Sequence, residues 1–115
     1  MDMGVDDHEI SLCRSAERQL GALNAGTDEP AADGNIYDVD RIMYLRNYLT
    51  QLQRATSDGV PVLGYFLWSL MDNFEWSDGF EQRFGLYRVD FDTKRRTPKL
   101  SASFYREIAA RNRLV

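Results

Sequence analysis

Between residues 68 and 84 the chain gathers side chains suited to holding a sugar: Trp68, Glu75, Trp76 and Phe84. A pyranose ring has apolar C–H faces that stack on aromatic rings. Its hydroxyls need acceptors and donors, and a carboxylate accepts two of them at once. A few aromatics around one carboxylate therefore suit a monosaccharide. The same residues also suit a purely structural role. Tryptophans and phenylalanines that follow a strand commonly fill a core. Asp72 and Glu75 would then be solvated loop acids, or Glu75 would pair with a nearby arginine such as Arg83.

The element that must position this group lies just ahead of it. Residues 60–70 form an almost unbroken apolar run with no helical stripe, bounded by turn signals. That pattern predicts a strand buried on both faces, as in a parallel sheet. Pro61 sits at its entrance, where a missing N–H is tolerated. Upstream, the spacing predicts a helix over 39–57. Ile42, Leu45, Leu49 and Leu52 share one face, Tyr48 and Ala55 lie beside it, and Arg41, Arg46, Asn47, Gln53 and Arg54 occupy the rest. Asp38 is the expected N-cap and Asp58-Gly59 the expected stop. A helix feeding such a strand is an α/β unit, and folds of this kind bind ligands beyond the strand's C-terminal end.

Downstream, residues 86–91 alternate as a short strand and 92–96 read as a turn. A final helix is expected from Thr97, with Pro98 in its first turn and Leu100, Phe104 and Ile108 on its apolar face, Tyr105 alongside. Near the N-terminus a short helix is expected over 8–20 and a loop over 24–35. These elements are too few to cover residues 65–70 on every side. The isolated chain is therefore expected to expose apolar surface, to be poorly stable and to be open to self-association.

Composition removes several classes. Against 14 lysines and arginines stand 18 aspartates and glutamates, a net charge of −4, which argues against nucleic acid. Cys13 and His8 are the only residues of their types, so no internal disulfide, zinc cluster or Ser-His-Asp triad is expected, and no metal or cofactor. No run approaches the roughly 20 apolar residues of a membrane span, and the acidic start has no leader pattern. The expected setting is cytoplasmic, with no nucleic-acid or membrane partner.

The motif Trp68-Ser69-Leu70-Met71-Asp72-Asn73-Phe74-Glu75-Trp76, followed by Arg83-Phe84-Gly85, closely resembles the C-terminal signature of family 1 glycoside hydrolases. The likeness continues through Val89-Asp90-Phe91, Arg96-Thr97-Pro98-Lys99, Ser101 and Tyr105. Upstream it includes Asp38, Asp40-Arg41-Ile42, Tyr44-Leu45 and Asp58-Gly59-Val60-Pro61-Val62. The resemblance implies an α/β fold, the C-terminal part of a (β/α)8 TIM barrel covering about its last two βα units. It implies two parts to the chain, a divergent segment over 1–35 and the barrel portion over 36–115. By the same resemblance Glu75 grips two hydroxyls of the glycone sugar, Trp76 hydrogen-bonds an adjacent hydroxyl, Trp68 is the platform under the ring, and Phe84 lies near the same subsite. The Glu75-Trp76 pair favours an unphosphorylated β-glycoside as substrate.

The chain departs from that family where catalysis is concerned. The acid/base glutamate of the family lies in an Asn-Glu-Pro motif after the fourth strand, which would fall upstream of Met1. Asp28-Glu29-Pro30 looks similar but lies in the loop before the helix at 39–57. The nucleophile motif, counted back from Gly34 and Ile42, falls near Ala22 or Leu23, where there is no carboxylate. No catalytic residue is therefore expected in this chain. The resemblance implies hydrolysis of β-glucosides or related β-glycosides by the family, with this chain supplying the glycone-binding part and inactive alone. A non-catalytic carbohydrate-binding remnant is the alternative.

Overall fold

The computed structural model describes residues 28–115. The helix expected over 8–20, and the stretch around Ala22 and Leu23, lie outside the described residues. In order, the described chain forms α1 (Val39–Ser57), a 3-10 turn (Trp76–Asp78), β1 (Tyr87–Val89), β2 (Arg96–Pro98) and α2 (Leu100–Arg111). β1 and β2 pair antiparallel, with Tyr87 opposite Pro98 and Val89 opposite Arg96.

The helix α1 has the bounds its periodicity predicts. Leu45 and Leu49 are buried, and Ile42, Tyr48, Leu52 and Ala55 are half-buried beside them. At its end the Gly59 N–H bonds the Thr56 carbonyl at 3.1 Å, and the Val60 N–H bonds that of Ala55 at 3.0 Å. This bond pair is the Schellman ending, and it needs a left-handed residue, which Gly59 supplies at φ +92°. The start of α1 corrects the expectation. Asp38 precedes the helix, but its side chain caps nothing. Its carboxylate instead accepts the backbone N–H of Ser101 at 2.9 Å, the Ser101 hydroxyl at 2.5 Å and Arg41 at 3.0 Å. Arg41, expected among the polar residues of the outer face, is buried with it.

The last helix also begins later than its proline predicts. Asp90 Oδ1 accepts the N–H groups of Asp92 and Thr93 at 3.0 and 2.9 Å, closing a tight turn. The chain then returns beside β1, so Thr97 and Pro98 belong to β2 and α2 starts at Leu100. A proline is tolerated there because this two-stranded ribbon is all edge.

The strand expected to be buried over 60–70 is the main correction. This segment is neither helix nor strand, and Leu63 and Phe66 are 96% and 88% exposed. Its burial still alternates like a strand. Tyr65, Leu67 and Ser69 are half-buried, whereas Phe66, Trp68 and Leu70 are exposed. The half-buried side meets α2, where the Tyr105 hydroxyl donates to the Tyr65 carbonyl at 3.3 Å. A strand exists only through its neighbours, and among the described residues 60–68 has no ladder partner. Pairing begins where a neighbour appears: the Leu86 and Tyr87 N–H groups bond the Ser69 and Leu70 carbonyls at 3.0 and 2.9 Å, and Met71 bridges Tyr87 in parallel.

Beneath these elements lies a buried ionic cluster of Asp28, Asp38, Arg41, Asp72 and Lys99. Lys99 Nζ stands 3.2 Å from Asp28 and 3.3 Å from Asp72, and it donates to the Arg83 carbonyl. Arg41 reaches Asp28 at 3.3 Å and bonds the carbonyls of Gly85 at 2.9 Å and Arg83 at 2.8 Å. Asp72 accepts the N–H groups of Gly85 and Val89 at 3.0 and 3.1 Å, and Arg83 lies 3.5 Å away. Gly85 has to be a glycine here. A β-carbon on it would stand 2.2 Å from the backbone of Met71 and Asp72.

Burial dominates the ionisation of two members of this cluster, Asp28 and Lys99. It pushes the Asp28 carboxyl above the usual carboxylate range, against the pull of Arg41 and Lys99. It pushes the Lys99 ammonium below the usual lysine range, with Arg41 adding repulsion and Asp28 and Asp72 opposing. Both shifts have one cause: desolvation outweighs the mutual attraction.

Three outcomes follow from this architecture. The exposed face of 60–70 should make the chain bind a hydrophobic dye and associate; a dye-silent monomer on light scattering would contradict it. Lys99→Met would remove the cation shared by the Asp28 and Asp72 carboxylates, breaking two buried ion pairs, a loss of about 3–5 kcal/mol. Against the ~5–15 kcal/mol that holds a typical domain, that should show as a clear loss of helical circular dichroism. The third concerns pH. Because the Asp28 pKa is raised on folding, its contribution is full below about pH 4, the unfolded value, and is lost as pH rises through the folded one. The stability of the wild type relative to Asp28→Asn should therefore fall as pH rises from 3 towards 7; a flat or rising difference in urea-melt free energies would refute the assignment.

Candidate functional site

The four residues singled out in the sequence lie on one stretch that leaves the exposed segment, turns sharply and returns to β1. Trp68 stands at its head, 54% exposed, on the same side as Phe66 and Leu70, and its peptide bond to Ser69 is cis. Asn73 then closes the corner by donating to the Ser69 hydroxyl at 2.8 Å and the Met71 carbonyl at 2.9 Å. Asp72, which sequence reading treated as a solvated acid, points the other way into the ionic cluster.

Glu75 and Trp76 occupy a tight turn. The Glu75 N–H bonds the Gly79 carbonyl at 2.7 Å, and the Asp78 N–H bonds the Glu75 carbonyl at 2.7 Å. Within that loop Trp76 takes a positive φ of 33°, uncommon for a residue with a side chain, and Gly79 takes 60°. The Trp76 ring is 84% exposed. The Glu75 side chain is half-buried and makes no hydrogen bond or ion pair among the described residues. The expected structural partner, Arg83, bonds the Val89 carbonyl at 2.7 Å and pairs with Asp72 instead.

Phe84 is placed differently from the other three. It is 4% exposed and belongs to the core together with Leu86 and Val89. The turn therefore brings Glu75 and Trp76 together, Trp68 heads the same stretch, and Phe84 lies beneath. An open groove runs elsewhere, between α1, α2 and residues 62–65, and includes none of the four. Among the described residues no three histidines, cysteines or acids are grouped to hold a metal ion. No described helix is long and apolar enough to cross a membrane.

Sequence reading missed Lys99, Arg41 and Ser101 as the partners of the buried aspartates. The only available signal was their place within the resembling motifs. Nothing in the periodicity of Leu100–Arg111 distinguishes Ser101 from a solvent-facing serine.

Known proteins share both this sequence and this fold. The profile of Glycosyl hydrolase family 1 matches residues 21–114. β-Glucosidase A of Acetivibrio thermocellus is 49% identical over 85 residues, which is 74% of this chain and 19% of that protein. β-Glucosidase 44 of Arabidopsis thaliana is 46% identical over 91 residues, covering 76% of this chain and 18% of that one. Among solved structures, the family 1 β-glucosidase of Thermotoga maritima superposes with a TM-score of 0.74 at 42% identity. That match covers 76% of this chain and 20% of the other, and structures of the same enzyme include complexes with cyclophellitol and isofagomine lactam. The chain thus spans about a fifth of the length of the relatives it matches. Its two helices and short ribbon form part of the α/β barrel of those enzymes, and the chain belongs to glycosyl hydrolase family 1.

Proposed function

We propose that this chain holds the glycone sugar of a β-glucoside or related β-glycoside, as one part of a retaining glycosidase site, and that it does not break the glycosidic bond by itself. The observation that carries this reading is the Glu75 carboxylate. It sits on a constrained turn beside the outward Trp76 ring, with no partner among the described residues. A carboxylate so placed is free to accept two sugar hydroxyls. In this reading the Trp76 indole N–H donates to a neighbouring hydroxyl and the Trp68 ring stacks beneath the sugar. Phe84 supports the subsite from below, since its burial leaves the ring little access to a ligand.

Bond cleavage with retention needs two carboxyl groups roughly 5–5.5 Å apart, one as nucleophile and one as acid/base. The buried acids near this loop are committed elsewhere: Asp28, Asp38 and Asp72 are held in ion pairs and backbone hydrogen bonds. Glu29, in the sequence that imitates an acid/base motif, meets Arg88 through both oxygens at 3.2 and 3.1 Å. Glu75 alone provides one carboxylate. Its contribution is binding, and binding raises a rate only when tied to a reacting centre. The relatives' names support β-glucosides as the substrate class, and the single cysteine fits a reducing, cytoplasmic setting.

Glu75→Gln tests this. In a complete barrel carrying these residues, the variant keeps its shape but loses charge-assisted bonds of about 1.5–3 kcal/mol each. The expected result is a fall in kcat/KM of about one to two decades per bond, with the melting temperature unchanged. A lowered melting temperature with unchanged kcat/KM would return Glu75 to a structural role and end the proposal.

A further inference from the structure

The turn that carries Glu75 and Trp76 is closed at both ends by aromatic rings. Phe74 and Phe80 immediately flank residues 75–79, and their rings meet edge to face at 5.4 Å. Phe80 then meets Phe91 at 4.7 Å, again edge to face. The Arg83 guanidinium lies over the other ring of that pair, 4.6 Å from the Phe91 centroid. Arg83 in turn pairs with the buried Asp72 and bonds the Val89 carbonyl. The ladder thus runs unbroken from the rim of the site to the ionic cluster.

We infer that this ladder is a positioning device: Phe91, with Arg83 above it, acts through Phe80 and Phe74 to fix the Glu75–Trp76 turn in its sugar-holding geometry. The inference rests on the sugar-holding reading of that turn. Three backbone bonds hold the turn, from the Glu75, Asp78 and Gly79 N–H groups to the Gly79, Glu75 and Trp76 carbonyls, and Trp76 within it has a φ that an unsupported chain rarely adopts. Phe74 and Phe80 are each more than half exposed, so their contact does little for the core. What it does is hold the two stems of the turn together. Edge-to-face pairs and a cation over a ring each add attraction beyond simple burial, and here they are arranged in series. None of the ladder residues need touch the sugar, so they are positioning residues and not catalytic ones.

The test uses the full chain and two readouts. Hydrogen exchange of the Glu75 and Asp78 amides reports the turn directly, because those N–H groups close it. Phe80→Leu, at a half-exposed site that should fold normally, should speed exchange at both amides by roughly three- to ten-fold, and Phe91→Leu should do the same from a distance. Phe80→Tyr, which keeps the ring, should restore protection. Leu45→Ala, in the core of α1, should lower the melting temperature without loosening these amides under conditions where the chain stays folded. Unchanged exchange in both leucine variants overturns the inference, as does equal loosening by Leu45→Ala. Glucose titration, followed by tryptophan fluorescence, is the second readout. A weaker response in Phe80→Leu than in the wild type extends the ladder's role to binding. A loosened turn with an unchanged glucose response overturns that role. A wild-type chain that ignores glucose while its turn loosens as expected counts against the sugar-holding reading and leaves the ladder as the support of the turn.

Discussion

Asp72 sits where three constraints meet. Its two oxygens accept backbone N–H groups from Gly85 and Val89, one on each side of the entry to β1, while Lys99 and Arg83 balance its charge. Its own N–H bonds the Tyr87 carbonyl at 3.0 Å. Each of these bonds joins segments distant in sequence, and each becomes costly if left unmade inside the fold. Lys99 extends the constraint to Asp28, and Arg41 extends it to α1. Asp38 and Ser101 then fix the start of α1 against the start of α2. A cluster of this kind is a poor source of net stability, because desolvation consumes most of the attraction. Its value lies in geometry: its ion pairs and hydrogen bonds tie the two helices and the 83–89 loop to one another.

That requirement explains how so small a hydrophobic core holds a defined loop. The buried apolar residues are few: Ile36, Leu45, Leu49, Phe84, Leu86 and Val89 among the described residues. They pack around the ionic cluster rather than forming a layer of their own. Gly85 makes the arrangement possible by bringing its backbone against Met71 and Asp72, closer than any side chain would allow. The site turn begins at Glu75, three residues after Asp72, so its first anchor is the same residue that organises the interior. The exposed aromatic residues are thus attached to the polar interior of the molecule, and not to an apolar one.

This division also explains which features were legible in the sequence. The helix Val39–Ser57 announced itself through a period of 3.6 and a terminal Gly59, both local signals. The strand read from the unbroken apolar run at 60–70 did not form, because pairing and burial belong to neighbouring strands that the run itself does not contain. Arg41 looked like a solvent-facing arginine, Asp38 like a cap and Asp72 like a loop acid, since periodicity cannot say which charge meets which across 44 or 63 residues. Pro98 misled for a related reason: the tight turn built on Asp90 set the register of the ribbon before the proline could open a helix. The residues proposed for the site were singled out from the other aromatics and acids only through the ordered motifs shared with family 1. Charge and aromaticity alone would have fitted a core equally well, and for Phe84 they did.

The polar groups of the chain therefore fall into two populations with opposite physical requirements. Those at Asp28, Asp38, Asp72, Arg41 and Lys99 are dry and paired, and Asp28, Asp72, Arg41 and Lys99 each have two ionic partners. Glu75 is the reverse case, a partly open carboxylate with no counter-ion among the described residues, although Arg83 lies only eight residues away and is directed to Asp72 instead. Holding Arg83 on Asp72 and the Phe91 ring keeps the nearest cation away from Glu75. A carboxylate neutralised by that arginine would face a sugar with its acceptor sites already occupied. Left unpaired on a turn whose geometry is fixed from below, it keeps both oxygens available to hydroxyl donors, which is the property a glycone-holding residue requires.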